Sequence, residues 1–502
     1  MENLISDYSW DGNTSAINVV GLGLFQRDTE DGQFYLTQSI PFVRHYCVDT
    51  NLFLSDAGAY LSGSMSDISS LVLKEVERAC QYVAIDIGQN RLQTSVKPYG
   101  SYSIAASLPG ISDIDAILIL QSCLPSCDSF LRSQDSNSFL NSIAARISCL
   151  HKNAKTRIRV STEGNGELNI LTIKLAPQYP FLDLMICRVD SCEEPVDSIS
   201  VGVLNTIKDN DAIMSAIYSL KKIAPFNKIE VISGALRIIK LWAYNRQIYG
   251  TKFGFLGGGG WLILLLWFVQ CDQLDLSNIS NESTIAGASS QLAKLFFQDI
   301  LSKWSNTDVI RLRHFDRNEV VVIKEASDLV TSRNSMAVIA PESGGNFGKS
   351  STKSTYLTTA REILRAKQLL GEKSSDFNLI LETFTMYGLF LALSIKIPSG
   401  THTTKPADIK ALGAAHILNM IISLEHKIGP SVIRPISNAT KKEGSFWFFI
   451  GVEESSAATL SILNEFVHEK SLQMEEERRA FMSDTEFKLS CLNNEEYERI
   501  IA

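Results

Sequence analysis

Two acids stand one residue apart behind a Gly-Ser turn. The turn is Pro98-Tyr99-Gly100-Ser101 and the acids are Asp113 and Asp115, with eleven residues between Ser101 and Asp113, in the apolar run Ile-Ser-Asp-Ile-Asp-Ala-Ile-Leu-Ile-Leu over 111–120. The run reads as a strand, in which residues i and i+2 share a face. The two carboxylates then lie side by side and repel unless a cation sits between them. Hard divalent ions take oxygen ligands and keep waters and substrate phosphates in the rest of their shell. Backbone N–H groups and a hydroxyl in the turn suit phosphate oxygens. Turn, gap, strand and Asp-x-Asp describe a nucleotidyl-transfer site that takes Mg²⁺ or Mn²⁺.

Two-metal transfer calls for a third carboxylate. The candidate is Asp183 in Tyr179-Pro-Phe-Leu-Asp-Leu-Met-Ile-Cys187, where a lone charge in an apolar strand needs a partner or a metal. The elements that must position these acids are legible in the periodicity. A helix over 66–85 precedes a strand leading into the turn from 92, and a helix follows over 138–151. Further strands are expected over 168–175 and 181–189, with Pro177 and Pro180 between them. Residues 155–160 alternate basic and apolar. From about 206 the pattern turns helical, with Ile232, Ala235, Leu236, Ile239, Ala243 and Tyr244 at helix period. A strand-rich 377–398, a helix over 408–429 and a strand over 445–452 suggest a small α+β unit, and the last forty residues read as a charged, solvated helix.

The chain has 502 residues, 45% hydrophobic and 20% charged, which predicts a globular chain of two to four domains. A net charge of −8 and a pI near 5.6 are not those of a typical nucleic-acid binder, so an RNA partner needs a local basic surface. Basic residues gather at 146–159 and 221–252, and Lys349, Lys353, Arg361 and Arg365 could also meet phosphates. Nine scattered cysteines argue for reduced thiols and an intracellular chain. The N-terminus lacks the features of a signal peptide. The uncharged stretch 253–271 opens on a glycine-rich segment, which leaves 261–269 too short to span a bilayer. Ser343-Gly-Gly-Asn-Phe-Gly-Lys-Ser350 nearly spells a phosphate-binding loop, but Ser343 stands where its first glycine belongs, so a Ser/Gly loop ahead of a basic helix is the better reading.

Gly100-Ser101, Asp113-x-Asp115 and the later strand acid Asp183 resemble the DNA polymerase beta-like nucleotidyltransferase superfamily. A second block narrows the resemblance: Ala235-Leu-Arg-Ile-Ile-Lys-Leu-Trp-Ala-Tyr-Asn-Arg-Gln-Ile-Tyr-Gly250, then Phe253-Gly-Phe-Leu-Gly-Gly-Gly-Gly-Trp261. It is similar to the central domain of eukaryotic-type poly(A) polymerases. Leu295-Phe-Phe297, Ser302-Lys-Trp304 and Met336-Ala-Val-Ile-Ala-Pro341 extend the likeness, which covers roughly 66–455. It implies an α+β multidomain fold of three domains: a polymerase beta-like nucleotidyltransferase domain (66–205), a central helical domain (206–370) and a C-terminal RRM-like RNA-binding domain (371–455); the N-terminal extension (1–65) and the charged helical tail (456–502) have no counterpart in it. It implies that Asp113 and Asp115 bind both metals and that Asp183 binds the catalytic one and helps deprotonate the RNA 3′-hydroxyl. Gly100 and Ser101 would hold the triphosphate, and Lys240, Tyr249, Gly258 and Gly259 would face the nucleotide. The partners implied are ATP, an RNA 3′-end and other 3′-end processing proteins, with no DNA template and no membrane. Nuclear placement follows from the resemblance alone, with a cytoplasmic location as the alternative.

The chain departs from that family at two places. Gly259-Gly260 replaces a Val-Ser whose valine touches the base, and the family's Ser-Leu-Asn-Gly has no clear match. Asn210 is the nearest candidate for its nucleotide-contacting asparagine, with Ser219-Leu-Lys-Lys222 as a rival alignment. Three readings stay open: an enzyme adding AMP to RNA 3′-ends, a related nucleotidyltransferase of other base or acceptor (a terminal uridylyltransferase or an oligoadenylate synthase), and an inactive RNA-binding homologue.

Overall fold

The structure, a computed structural model, describes residues 25–27, 34–36, 64–88, 91–108, 113–133, 135–163, 166–176, 179–220, 226–271, 279, 284–305, 308–312, 334–372, 387, 389–396, 406–453, 456–481 and 486–501. A short antiparallel hairpin, β1 (Phe25–Arg27) and β2 (Phe34–Leu36), is what it describes of the N-terminal extension.

Helix α1 (Ser64–Gly88) leads into β3 (Leu92–Tyr99). After the Gly-Ser turn come β4 (Ile114–Ser122), α2 (Ser136–Leu150), β5 (Lys155–Glu163), β6 (Gly166–Lys174) and β7 (Leu182–Val189). The five strands form one sheet in the order β3-β4-β7-β6-β5. Only the β4–β7 pair is parallel. One face of the sheet packs on α1 and α2, burying Val72, Val76, Leu118, Phe139, Ile143 and Leu184. Through this parallel pair the end of β3 and the starts of β4 and β7 meet at one end of the sheet.

Helix α3 (Ser198–Ser219) starts on the Asp197 side chain, which accepts the Ser200 N–H at 2.7 Å. It runs unbroken through 205–206, so the boundary expected there falls inside a helix. The apolar helices α4 (Lys228–Asn245), α5 (Gly258–Cys271) and α6 (Ile285–Lys303) then build the largest core. Trp242 sits at its centre, edge-to-face with Trp261 at 5.7 Å and with Phe297 at 4.8 Å. The uncharged stretch is thus a core helix, and among the described residues no helix is long and apolar enough to cross a membrane. Two short parallel strands, β8 (Val309–Ile310) and β9 (Ala337–Val338), follow, and then α7 (Lys353–Glu372).

The C-terminal strands β10 (Leu389–Lys396), β11 (Ile433–Lys442), β12 (Ser445–Val452) and β13 (Glu486–Asn493) form an antiparallel sheet in the order β11-β12-β10-β13. Helices α8 (Pro406–Ile428) and α9 (Ala457–Phe481) contribute to the core on one face. Tyr497 of α10 (Asn494–Ile501) lies flat on Phe390 on the other, at 3.8 Å. The region read as a charged helical tail is therefore more than that. It supplies an edge strand, because Phe487, Leu489 and Cys491 alternate with polar residues at strand period. Of the strand-rich 377–398, the described part is β10; the rest lies mostly outside the described residues.

Arg246, at the exit of α4, is fully buried and makes two bonds to Glu362 of α7, at 2.7 and 3.0 Å. Cutting one partner from such a pair strands the other charge. Arg246→Met should cost about 3 kcal/mol in urea unfolding, and Arg246→Met with Glu362→Leu should recover most of that loss.

Candidate active site at the sheet edge

Register on the parallel pair places Asp115 directly beside Asp183. Tyr99, the last residue of β3, pairs with Asp115 from the other side. The chain then turns at Gly100, whose φ of +66° favours glycine. A Cβ at Gly100 would lie 3.0 Å from Asp115 Oδ2, so the turn backbone approaches the carboxylate closely. Asp113 immediately precedes β4, which begins at Ile114, and the register of β4 with β7 makes Asp183 a further neighbour of Asp115.

The charges of these acids still meet. Burial, then the negative charges of Asp183 and Asp113, push the Asp115 carboxyl up to about 7, against the opposing pull of Lys240 and Arg159. Asp183 is held by cationic and polar groups from the neighbouring strands. Arg159 of β5 pairs with its Oδ2, and Thr172 of β6 donates to its Oδ1 at 2.7 Å. Arg159 also donates to Thr172 at 3.0 Å. Lys252 belongs to the same field: partial loss of solvent around its ammonium and the charge of Arg159 hold it below the usual lysine range, while Asp183 pulls the other way, although the side chain is exposed. Among the described residues no group of three or more His, Cys, Asp or Glu side chains is gathered as a metal cluster. The donor chemistry nonetheless fits a hard cation, since hard oxygen ligands crowd until one of them prefers a proton near neutrality.

The helical unit supplies the opposite wall. Lys240 of α4 is buried and donates to the Ala106 carbonyl at 2.9 Å, beyond the Gly-Ser turn. Burial lowers its ammonium to about 8, helped by Arg237 and opposed by Asp115. Ser233, two turns earlier, donates to the Ile104 carbonyl of the same loop. Tyr249 follows α4, and burial and the charge of Asp115 raise its phenol above the ordinary range. A Cβ on Gly258 would lie 3.0 Å from the Tyr249 hydroxyl and 3.6 Å from Lys240 Nζ, so this glycine lets all three meet. Ser101 stands within 3.4 Å of the Ser107 hydroxyl. Asn210 of α3 accepts a bond from Ser103 at 2.7 Å, and Ser103 also bonds the Gly100 carbonyl at 2.8 Å. Asn210 thus anchors the turn; Lys221 and Lys222 of the rival alignment lie outside the described residues.

Residues 231–378 match the family described as the poly(A) polymerase central domain. That segment resembles a poly(A) polymerase central domain. It contributes Lys240, Tyr249, Gly258 and Gly259 to the wall just described. The chain is 26% identical over 223 residues to poly(A) polymerase PAPalpha of Candida albicans, covering 43% of this chain and 34% of that protein. It is 29% identical over 102 residues to PAPa of the same organism, covering 18% of this chain and 17% of that protein. The matched stretches span about a third or less of these curated relatives. Among solved structures, it is similar to a structure of Cid1, described there as an RNA terminal uridylyl transferase. The TM-score is 0.45 and the identity 14%, with 67% of this chain and 100% of that one covered.

Sequence reasoning missed Arg159, Thr172 and Lys252. The signal was present: a lone strand acid demands a countercharge, and the alternating basic strand nearby could supply it. The raised Asp115 carboxyl gives a pH signature. Between about pH 4 and 7 the folded chain keeps a proton that the unfolded chain releases, so ionising Asp115 costs stability as pH rises through that window, with no further change above it. Asp115→Asn removes this cost. In metal-free buffer with chelator it should stabilise the fold by roughly 1–3 kcal/mol at pH 8 and by little at pH 4, read by urea unfolding.

Proposed function

We propose that the chain is a template-independent polynucleotide adenylyltransferase that adds AMP from ATP to RNA 3′-ends. The observation that carries the reading is the pairing of Asp115 with Asp183 at the sheet edge, under the Gly-Ser turn and opposite Lys240 of the poly(A) polymerase central domain. Asp113, Asp115 and Asp183 would hold Mg²⁺ or Mn²⁺. When bound, the ion supplies Lewis-acid polarisation of phosphoryl oxygens and an acidified hydroxyl.

The chain's own residues account for the remainder. The turn backbone at Gly100 and Ser101 and the Ser101 hydroxyl would hold the triphosphate, with Ser103 and Asn210 fixing the turn. Lys240 meets phosphate charge from the far wall, and Tyr249 and Gly258–Gly259 bound the nucleoside. Arg159 and Thr172 hold Asp183 oriented at the place where the RNA 3′-hydroxyl would arrive. Arg159 and Lys252 add the local positive charge that an acidic chain needs to receive RNA. The C-terminal sheet and helices read as an RRM-like RNA-binding unit, with other 3′-end processing proteins as further partners and the nucleus as the place of action.

A second reading is a related transferase of other base or acceptor, favoured by one observation: glycine stands at 259 and 260, where the resemblance expects Val-Ser. Extension of a short RNA with each nucleoside triphosphate and Mg²⁺ or Mn²⁺ decides between them. ATP should be preferred, and Asp115→Ala should lower the rate by at least about 10³-fold with the fold intact. Lys240→Ala should raise the KM for ATP about tenfold or more. Wild-type KM should climb above pH 8 as Lys240 loses its charge, with the climb absent in Lys240→Ala.

A further inference from the structure

The loop that nearly spells a phosphate-binding motif does something else. It carries Phe347 across onto the glycine turn. A Cβ built on Gly259 would lie 2.8 Å from Phe347 Cε1 and 3.2 Å from Cζ, and one on Gly260 would lie 3.3 Å from Phe347 Cβ. The ring therefore stands where a side chain at 259 would be. Gly258, the residue before, is where Tyr249 and Lys240 meet.

The loop is built to hold that ring. Phe347 donates its N–H to the Val338 carbonyl at 2.8 Å. The Asn346 side chain accepts from Val338 N–H at 3.1 Å and from Gly348 N–H at 2.8 Å. Gly348 lies so close to the Met336 carbonyl that a Cβ there would fall 1.7 Å from its oxygen. At the other end, Asp209 Oδ1 accepts the Glu342 and Ser343 N–H groups at 2.8 and 2.9 Å. Asp209 adjoins Asn210, which anchors the Gly-Ser turn. One turn of α3 thus fixes both the phosphate-facing turn and the loop that presents Phe347. The ring is half-buried, so it is not wholly consumed by the core.

We propose that Phe347 is the specificity-determining wall of the nucleotide site, replacing a side chain that Gly259 lacks and meeting the base while Lys240 and the Gly-Ser turn meet the phosphates. This rests on the nucleotidyl-transfer reading above. Purine and pyrimidine rings offer an aromatic wall different contact areas, so stacking on such a ring distinguishes them. A change in the wall therefore alters the ratio between nucleotides, whereas a change in the phosphate end alters all four alike.

The test compares wild type, Phe347→Ala, the milder Phe347→Leu, Gly259→Ala and the Gly259→Ala/Phe347→Ala double variant. Readouts are kcat/KM for ATP and UTP, the Kd of each with Mg²⁺, and inhibition by inorganic tripolyphosphate. Phe347→Ala should change the ATP:UTP ratio about tenfold or more, with tripolyphosphate inhibition within about twofold of wild type as the phosphate subsite is untouched. Gly259→Ala should shift the ratio too, and its effect should shrink when Phe347 is alanine, since the clash it creates is then gone. An unchanged ratio, or an equal loss for every nucleotide, overturns the role of Phe347. Absence of nucleotide addition by wild type would refute the transferase reading instead, and the Kd ratios would still decide whether Phe347 reads the base.

Discussion

The repulsion between Asp115 and Asp183 is the constraint on which the rest of this structure depends. Parallel pairing of β4 and β7 forces the two carboxylates into register, and nothing in the strand pairing relieves them. Relief comes from outside the pair: Arg159 and Thr172 hold Asp183, and Lys240 pulls on Asp115 from a different part of the chain. Asp115 nevertheless keeps a carboxyl near 7. Such a pair is a standing demand for positive charge, of the kind a divalent cation would supply.

That demand also explains how the sheet and the central helices are joined. The loop after the Gly-Ser turn is gripped by Ser233 and Lys240 of α4, and the turn itself by Asn210 of α3. A lysine buried in an apolar helix wall is costly unless paired. Here it has a carbonyl and the nearby field of Asp115, which ties its placement to the acid edge. The large apolar core around Trp242 gives the wall its rigidity. The glycines at 258–260 give it close approach, with the space over Gly259 filled from the loop carrying Phe347.

Much of this was legible in the sequence because it depended on local pattern. The Gly-Ser turn, the strand holding Asp115, the strand holding Asp183 and the helix bearing Lys240 each announced themselves by period and residue type. What was not legible depended on pairing between distant segments. Asp113 stands before the strand rather than in it, and register, which a single sequence does not display, chose Asp183 as the neighbour of Asp115. Arg159 was visible as part of a basic alternation, but its partner lies two strands away in the sheet order. The strand at 486–493 was hidden by the charge of its surroundings; the loop at 343–350 was read as a loop, but its contact with Gly259 was not visible.

The proposed function requires the Asp115–Asp183 pair to take a divalent cation together with a nucleotide. Manganese binding followed by electron paramagnetic resonance, at pH 7.5 with a non-hydrolysable ATP analogue, tests it most directly. The account predicts protein-bound Mn²⁺ that requires the analogue and is weakened at least about tenfold in Asp183→Asn. Equal Mn²⁺ binding by wild type and Asp183→Asn would contradict it.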